Sequence, residues 1–303
     1  MPTSKRKFGH FLSNLALQGV LTLPRLLPYR PRIAFAGWMV SRLVAPLAKY
    51  DKRIRANLNY VLPELPETTV DELCRTVPEN AGRTLMEVYS GDAFVERIRE
   101  VPITGPGLAE LDAAHAAGRP IIVVSGHFGN YDAPRAALRL RGHQIGALYR
   151  PFSNPYFDAH YLKAIQKVAS PIFPQSRRGL SEMIRFLKAG NTVAILMDLH
   201  STSGSLLSFF GKPAPSSLSA AELALKYDAL LVPVYGTRQE NGFDFSIEVE
   251  APIPHTDAET MTQLIADSLE ARVRNDMAQW LWIHRRWKPE RTQRMREAAN
   301  IEP

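Results

Sequence analysis

Short apolar runs alternate with longer amphipathic stretches over most of this chain. The runs IIVVS (121–125), TVAILM (192–197) and ALLVPVY (229–235) are almost continuously apolar, which is typical of strands covered on both faces. The segments between them repeat apolar residues every three or four positions and end at glycines, namely Gly118, Gly142 and Gly190, as helices do. Strand alternating with helix predicts an α/β fold with a mainly parallel mixed sheet flanked by helices.

The same pattern places the remaining elements. Further strands are predicted at 144–150, 171–174 and 243–253, and amphipathic helices at 49–66 and 68–92, which Pro63 and Pro66 separate. Residues 199–217 are predicted as a loop that leads into a helix, and residues 260–287 as a closing helix with a tail.

The first 50 residues differ from the rest, because large apolar side chains stand between cations. The runs FGHFLSNLALQGVLTLP (8–24) and IAFAGWMVSRLVAPLA (33–48) contain no acid, and residues 1–60 hold eleven Lys and Arg against Asp51 alone. The remaining residues hold 26 bases and 29 acids, so the net charge of +7 comes entirely from this end.

A basic and apolar end favours an anionic membrane surface as its partner. Nucleic-acid-binding arms are polar between their charges, so no nucleic acid is expected. The run 8–24 is short for a span and lacks a signal-peptide cleavage site. We predict a membrane-associating helical segment over residues 1–50, with its cations on the cytoplasmic side of the membrane, followed by one α/β domain over 51–303. The alternative is an amphipathic helix packed on the protein's own core.

Bulk composition narrows the class of protein. The hydrophobic content of 45% excludes wholesale disorder. The single cysteine, Cys74, cannot form an intramolecular disulfide, which fits a reducing cytosol.

A histidine and an aspartate follow the first long apolar strand in the stretch SGHFGNYD (125–132). Functional side chains of open α/β sheets gather beyond the carboxyl ends of strands. With His127 in the loop and Asp132 in the first helical turn, the carboxylate could fix the imidazole tautomer, and the imidazole could act as a general base on a hydroxyl. The alternative is a helix-capping histidine beside a solvated aspartate. No second cluster has metal-ligand spacing, so no metal is expected, and Ser125 lacks the G-x-S-x-G turn of a nucleophile.

Cations follow the next strands. Arg150 ends one predicted strand, Arg177 and Arg178 precede a helix, and Lys212 lies in the long loop before Ser216 and Ser217. Cations and a helix N-terminus at one edge of a sheet predict an anion site, with phosphate as the expected anion. Asp198, at another strand end, could orient one of these arginines or cap a turn.

The end of the chain, WLWIHRRWKPER (280–291), mixes tryptophans with cations. Such a mixture is typical of a membrane–water boundary. Core tryptophans beside a solvated basic tail are the alternative.

Taken in order, these motifs resemble one family. They are H-x-x-x-x-D after a strand, YRP with NP, R-x-G-L, an aspartate followed by FFG-K-P-A, a strand with VPV, and W-x-H-R-R-W, with RIRANLNYVLPE near the front. The set, over roughly residues 50–290, resembles the bacterial lipid A biosynthesis acyltransferases of the lauroyl/myristoyl class, within the lysophospholipid acyltransferase superfamily.

The resemblance implies a chemistry for the quoted residues. His127 would activate a hydroxyl of a lipid A precursor, oriented by Asp132, and the hydroxyl would attack a fatty-acyl thioester on acyl carrier protein or coenzyme A. Arg150 and Arg178 would bind phosphate, with Arg177, Lys212 and Asp198 as further substrate-binding candidates. An apolar groove would hold the acyl chain, and no cofactor beyond the acyl donor would be needed.

Two positions depart from the family pattern. The lipid A branch commonly has glutamate at the position of Asp132, and many members have glutamine at the position of Leu199. Two other functions therefore stay open: acyl transfer to a lysophospholipid or another lipid hydroxyl, and a non-enzymatic peripheral membrane-binding protein.

Overall fold

The computed structural model of the protein describes residues 14–15, 18–19, 21–201, 204–289 and 292. It has an α/β fold in which helices flank a seven-stranded mixed sheet, as the sequence predicted. More than half of the predicted anchor at 8–24 lies outside the described residues.

Strands and helices alternate from residue 103 to residue 196. The helices are α1 (Tyr29–Met39), α2 (Tyr50–Val61), α3 (Glu67–Ser90), α4 (Asp92–Ile98), α5 (Leu108–Ala116), α6 (Ala133–Leu140), α7 (Pro155–Val168), α8 (Arg177–Lys188), α9 (Ser219–Tyr227) and α10 (Ala258–Asn275). The strands are β1 (Ile103–Thr104), β2 (Ile121–Ser125), β3 (Ile145–Tyr149), β4 (Ile172–Pro174), β5 (Thr192–Leu196), β6 (Ser205–Phe209), β7 (Lys212–Ser216), β8 (Leu230–Arg238) and β9 (Phe245–Val249).

The strands of the main sheet follow the order β1-β9-β8-β2-β5-β3-β4. The five strands from β8 to β4 run parallel, and β9 is antiparallel to β8. β2 lies at the centre with β5 on one side and β8 on the other. The carboxyl end of β2 therefore has a parallel strand on each side, and open α/β sheets place their functional groups beyond such strand ends.

Both faces of the central strand are buried. Ile121 and Val123 pack into a core with α4, α6 and α7, whereas Ile122 and Val124 pack into a second core with α8, α9 and α10. This two-sided burial explains why the run IIVVS is apolar at successive positions instead of alternating.

A third core lies beyond the strand ends and combines aromatic with aliphatic side chains. It joins α2 and α3 to the β6–β7 hairpin and to the residues after α10. Trp280 and Trp282 are 0% exposed and Trp287 is 5% exposed. The membrane-boundary interpretation of these tryptophans is therefore wrong, and the core alternative is confirmed.

The β6–β7 hairpin occupies a stretch that the sequence predicted as loop. Its five paired positions run from Ser205↔Ser216 to Phe209↔Lys212. Pro213 and Pro215 cannot donate ladder hydrogen bonds, so this pattern does not resemble a strand in sequence. Among the residues that the structure describes, no further strand lies beside this two-stranded hairpin, and such a position tolerates proline.

Helix α1 packs against α3 at close range. A Cβ added to Gly82 would lie 2.8 Å from the carbonyl oxygen of Ala36, and one added to Gly37 would lie 2.9 Å from Arg83 Cγ. Ile33 is fully buried in this contact. The described part of the basic segment thus packs partly on the protein's own core, as the alternative interpretation expected.

The opposite side of this segment is exposed and apolar. Leu26 is 81% exposed and Leu47 is 87% exposed, and Phe35 and Trp38 are stacked on each other at the surface. Within the described residues, no helix combines the length and the apolar character that crossing a bilayer requires. The division at residue 50 and the membrane association stay predictions.

Candidate active site

The register of the central strands places His127 beside Asp198. Ser125, the last residue of β2, pairs with Leu196, the last residue of β5. His127 and Asp198 each follow two residues later, so two parallel strands deliver them to the same point.

Asp198 accepts three hydrogen bonds at this point. The His127 ring Nδ1 is 2.8 Å from its Oδ1, and the His127 backbone N–H donates to Oδ2 at 2.8 Å. Trp280 Nε1–H donates to Oδ2 at 2.9 Å. The Asp198 side chain is 0% exposed, whereas that of His127 is 15% exposed. The pair therefore has a buried carboxylate and an imidazole that solvent reaches.

These contacts determine the charge of Asp198. Burial raises its pKa, but attraction to His127 and the hydrogen bonds from its ring and backbone outweigh burial and hold the pKa well below the ordinary value. An ionised carboxylate can only accept, so Nδ1 of His127 carries a proton in this contact. The neutral imidazole then has its lone pair on Nε2, which makes no hydrogen bond within the described part of the chain. His127 is thus arranged as a base whose protonated form a buried carboxylate stabilises.

The predicted hydrogen bond between His127 and Asp132 is absent among the described residues. Asp132 is buried and pairs instead with Arg135, one turn along α6. Arg135 in turn donates to the carbonyl oxygen of Ala169. The correction has a simple cause: α6 begins directly after Asp132 and turns its side chain toward the next helical turn, while the neighbouring strand supplies Asp198 to the histidine.

Glycine shapes the loop that carries the histidine, which we call the His127 loop (residues 126–132). Gly129 has φ +56°, and a Cβ there would lie 2.0 Å from the carbonyl oxygen of Gly236. Only glycine can adopt this conformation at such close approach.

A second histidine lies against the first, and the sequence analysis did not assign it a role. The rings of His284 and His127 are 4.5 Å apart between centroids at an interplanar angle of 72°. Burial lowers the pKa of His284 to about 4, with repulsion from His127 in the same direction and Asp198 opposing it. Its Nε2 is buried and has no hydrogen-bond partner among the described residues. The spacing W-x-H contains no signal for this contact, since it joins residues 157 positions apart.

Helix α2 holds the segment that carries His284. Asn57 Nδ2 donates to the carbonyl oxygens of Trp282 at 2.6 Å and His284 at 2.8 Å. Asn57 belongs to the motif RIRANLNYVLPE, so that motif acts by fixing a distant backbone segment.

Arg286 is a buried cation on the other side of Asp198. It is 2% exposed and donates to the carbonyl oxygen of Pro215 at 2.7 Å and to Ser216 Oγ at 2.6 Å. Burial lowers its pKa to about 10, although Asp198 raises it. The basic tail predicted as solvated thus contributes one arginine that ties the β6–β7 hairpin to the site.

The structure does not gather the predicted substrate-binding cations around His127. Arg150, Arg177 and Arg178 are exposed. Arg178 Nε donates to Glu182 Oε1 at 2.8 Å, and Lys212 Nζ lies 5.5 Å from the centre of the Tyr60 ring. No contact described for these four residues includes His127 or Asp198. Asp198, the fifth predicted substrate-binding residue, instead forms a hydrogen bond with the ring of His127.

A narrow cavity adjoins Asp198. Apolar side chains from the end of β5, from β6 and from α10 line it together with the polar Asp198, Ser216, Thr262 and Arg286. Its volume of about 10 Å³ holds about one water molecule. This cavity is therefore too small to be the predicted apolar groove. An acyl chain could enter it only if the lining side chains moved.

Comparison with known proteins identifies the family of the chain. The family model for bacterial lipid A biosynthesis acyltransferase matches residues 3–289. A lipid A biosynthesis acyltransferase of Haemophilus influenzae is 24% identical over 267 residues, which cover 83% of this chain and 81% of that protein. A phosphatidylinositol mannoside acyltransferase of Mycobacterium tuberculosis is 26% identical over 274 residues, which cover 83% of this chain and 86% of that protein. The chain belongs to the bacterial lipid A biosynthesis acyltransferase family and is an enzyme that transfers acyl groups to lipid hydroxyls.

Proposed function

We propose that the enzyme moves a fatty acyl chain from a thioester, carried by acyl carrier protein or coenzyme A, to a hydroxyl of a lipid A precursor. The observation that carries this proposal is the His127–Asp198 pair, in which Nε2 of a solvent-accessible imidazole is free to take a proton. Family membership supports acyl transfer over the non-enzymatic alternative.

The chemistry needs one proton shuttle. Nε2 of His127 takes the proton of the acceptor hydroxyl while the oxygen attacks the thioester carbonyl carbon. Asp198 stabilises the imidazolium through the Nδ1–H hydrogen bond. The tetrahedral intermediate then expels the thiolate, which takes the proton from His127 to leave a free thiol and the ester. The imidazole returns to its starting state, so no covalent enzyme intermediate is required.

Asp132 contributes indirectly in this proposal. Its carboxylate holds Arg135 in the first turn of α6, and this ion pair supports the end of the His127 loop. The exposed Arg150, Arg177, Arg178 and Lys212 remain candidates for binding phosphate groups, because exposed guanidinium and ammonium groups are accessible to a charged lipid head or to a phosphopantetheine arm.

A second acceptor is supported by the comparisons. The mycobacterial relative is at least as similar to this chain as the Haemophilus relative, and its name specifies a phosphatidylinositol mannoside as acceptor. Both acceptors are glycolipids with a free hydroxyl, and a lysophospholipid offers the same nucleophile.

Membrane association completes the proposal. The exposed Leu26, Trp38 and Leu47 lie among the cations of the first 50 residues. Such a surface fits the anionic cytoplasmic face of the inner membrane, where a lipid acceptor would be available.

Replacing His127 tests the mechanism. We expect His127→Ala to lower kcat for acyl transfer by about 10²–10⁴-fold, because the general base is lost. His255→Ala is the control, since His255 contacts the carbonyl oxygen of Ala229 and is not part of the site. Full activity of His127→Ala would contradict the proposed role.

The acceptor is tested separately. Purified enzyme with one acyl thioester is offered a lipid A precursor, a phosphatidylinositol mannoside and a lysophospholipid, and products are identified by mass spectrometry. We expect acylation of the lipid A precursor. Acylation of only one of the other two would exclude the lipid A assignment and retain the chemistry.

A further inference from the structure

A buried polar cluster lies behind the His127 loop. Glu87 on α3 is 0% exposed, Arg238 at the end of β8 is 6% exposed, and Asn130 in the loop is 0% exposed. Arg238 Nη2 donates to Glu87 Oε2 at 2.7 Å, and Nη1 donates to the other carboxylate oxygen. Three elements far apart in sequence therefore meet at one ion pair.

Glu87 decides which way the Asn130 amide faces. Asn130 Nδ2 donates to Glu87 Oε2 at 2.7 Å. A carboxylate has only acceptors, so the amide nitrogen must point at Glu87 and the amide oxygen must point away. That oxygen accepts from the backbone N–H of Asp132 at 2.9 Å and of Ala133 at 3.1 Å. The orientation set by Glu87 thus closes the turn that ends the His127 loop.

The same cluster holds the backbone before Asn130. Thr84 Oγ donates to the carbonyl oxygen of Gly129 at 3.1 Å and accepts from Arg238 Nη2 at 3.1 Å. The Asn130 backbone N–H donates to the carbonyl oxygen of Gly236 at 2.9 Å. The loop backbone is therefore fixed from α3 on one side and from β8 on the other.

Stability alone does not account for a buried ion pair here. Replacement of such pairs by apolar side chains is often neutral or stabilising, because desolvation of the charges offsets their attraction. An apolar pair could not hold the Asn130 amide or the Gly129 carbonyl. The charges of Glu87 and Arg238 therefore serve to orient the His127 loop.

We propose that Glu87 is a positioning residue for His127, acting through Asn130 and the backbone of the His127 loop. This inference rests on the proposed function only for its effect on catalysis, since the loop order it predicts is measurable without any substrate.

A reciprocal pair of variants tests the proposal. In Glu87→Gln an amide N–H₂ replaces one carboxylate oxygen. Either Arg238 Nη1 then loses its acceptor, or Asn130 Nδ2 and Arg238 Nη2 both lose theirs. The double variant Glu87→Gln/Asn130→Asp exchanges the donor and the acceptor, so that residue 87 donates and residue 130 accepts. It restores the hydrogen bond with reversed polarity and keeps the oxygen that faces Asp132 and Ala133.

Hydrogen exchange of the full-length enzyme measures loop order directly. The backbone amides of residues 127, 129, 130, 132 and 133 are all hydrogen-bonded. We expect exchange in this peptide to become about 10- to 100-fold faster in Glu87→Gln, because a hydrogen bond to a charged group is lost. Exchange in β3 and α8 should stay unchanged, and the double variant should return the loop to near wild-type protection.

Kinetics measure the consequence for catalysis. We expect Glu87→Gln to lower kcat by about 10- to 100-fold, with KM for the acyl donor little changed, since a small displacement of the base slows the chemical step. The double variant should recover most of this loss. Glu250→Gln is the matched control. It also removes a carboxylate from an arginine, Arg272 on α10, but Glu250 has no hydrogen bond to the His127 loop among the described residues, so kcat should stay unchanged.

Several results would overturn the inference. One is wild-type exchange of the loop in Glu87→Gln, and another is faster exchange spread evenly over the whole protein. A third is restored loop protection in the double variant without recovery of kcat. If Glu87→Gln does not fold, Glu87→Asp keeps the carboxylate but withdraws it from Asn130 Nδ2 by one methylene, and unchanged loop exchange in that variant has the same meaning. Absence of acyl transfer by the wild-type enzyme would refute the proposed function, and the exchange result would still decide the role of Glu87.

Discussion

Two aspartates near His127 have different partners, and their variants should behave differently. In Asp198→Asn the amide can donate to Nδ1 of His127, which moves the imidazole proton to Nε2 and removes the base. We expect kcat to fall by about 10³–10⁴-fold, as expected when a base is held in the wrong tautomer. Steady-state kinetics of acyl transfer measure this effect.

Asp132→Asn should act on stability first. It leaves Arg135 buried without its counter-charge, which costs about 3 kcal/mol or more of the free energy of unfolding. Urea unfolding measures that loss, and kcat per folded molecule should fall far less than in Asp198→Asn. An equal fall in both folded variants would assign Asp132 a direct part in the chemistry.

His284 makes stability depend on pH in a defined window. Its pKa is lowered from 6.5 in the unfolded chain to about 4 in the folded protein. Between these values the unfolded chain binds a proton that the folded protein does not, so the free energy of unfolding falls as the pH falls from 6.5 to about 4. The full effect is about 3 kcal/mol.

Urea unfolding at pH 7 and pH 5 measures this dependence. His284→Asn should show a smaller difference between the two pH values than wild type. Burial also lowers the pKa of His143 to about 4. His143 therefore contributes a pH dependence of the same sign, which remains in His284→Asn. An unchanged difference in His284→Asn would contradict the prediction.

Among the elements, the contact between α1 and α3 depends on the absence of side chains. A Cβ at Gly82 would approach the Ala36 carbonyl oxygen and the Val40 Cβ to 2.8 Å each. Alanine favours a helix over glycine by about 1 kcal/mol, but these contacts involve backbone that cannot move alone. We expect Gly82→Ala to lower the free energy of unfolding by about 1–2 kcal/mol net.

Thermal unfolding tests this expectation. Glu72→Ala on the exposed side of α3 is the control and should change stability by no more than about 0.5 kcal/mol. A raised Tm in Gly82→Ala would show that helix propensity outweighs the packing contact.

The elements themselves followed closely from the sequence. The central strands were predictable because burial on both faces leaves a continuous apolar run at 121–125, 192–197 and 229–235. The β6–β7 hairpin was not, since Pro213 and Pro215 give the stretch a loop-like composition and its pairing with residues 205–209 depends on contacts with α10.

For the whole molecule, the exposed apolar side of the first 50 residues predicts how the enzyme meets a membrane. Leu26→Glu/Leu47→Glu replaces the two most exposed leucines among those that the structure describes in this region. Burying one leucine side chain in the bilayer contributes about 1.5–3 kcal/mol to the free energy of membrane binding. We therefore expect binding of the double variant to vesicles of zwitterionic and anionic phospholipid to weaken by more than tenfold.

Vesicle co-sedimentation measures this binding. Leu264→Glu on α10 is the control, because Leu264 is also exposed but lies outside the basic segment. Equal vesicle binding of the double variant and wild type would contradict the membrane-docking surface.

The order of apolar and polar residues was sufficient to establish the α/β class, the sheet and the loop that presents His127. It was sufficient because burial on two faces and glycine stops are local properties of the chain. The partner of His127 depended on the fold: Asp198 lies 71 positions away, and only the parallel register of β2 with β5 brings the two together. The tertiary structure likewise decided the positions of His284, Glu87 and Arg286. Spacing along a chain carries no information about which strand ends become neighbours.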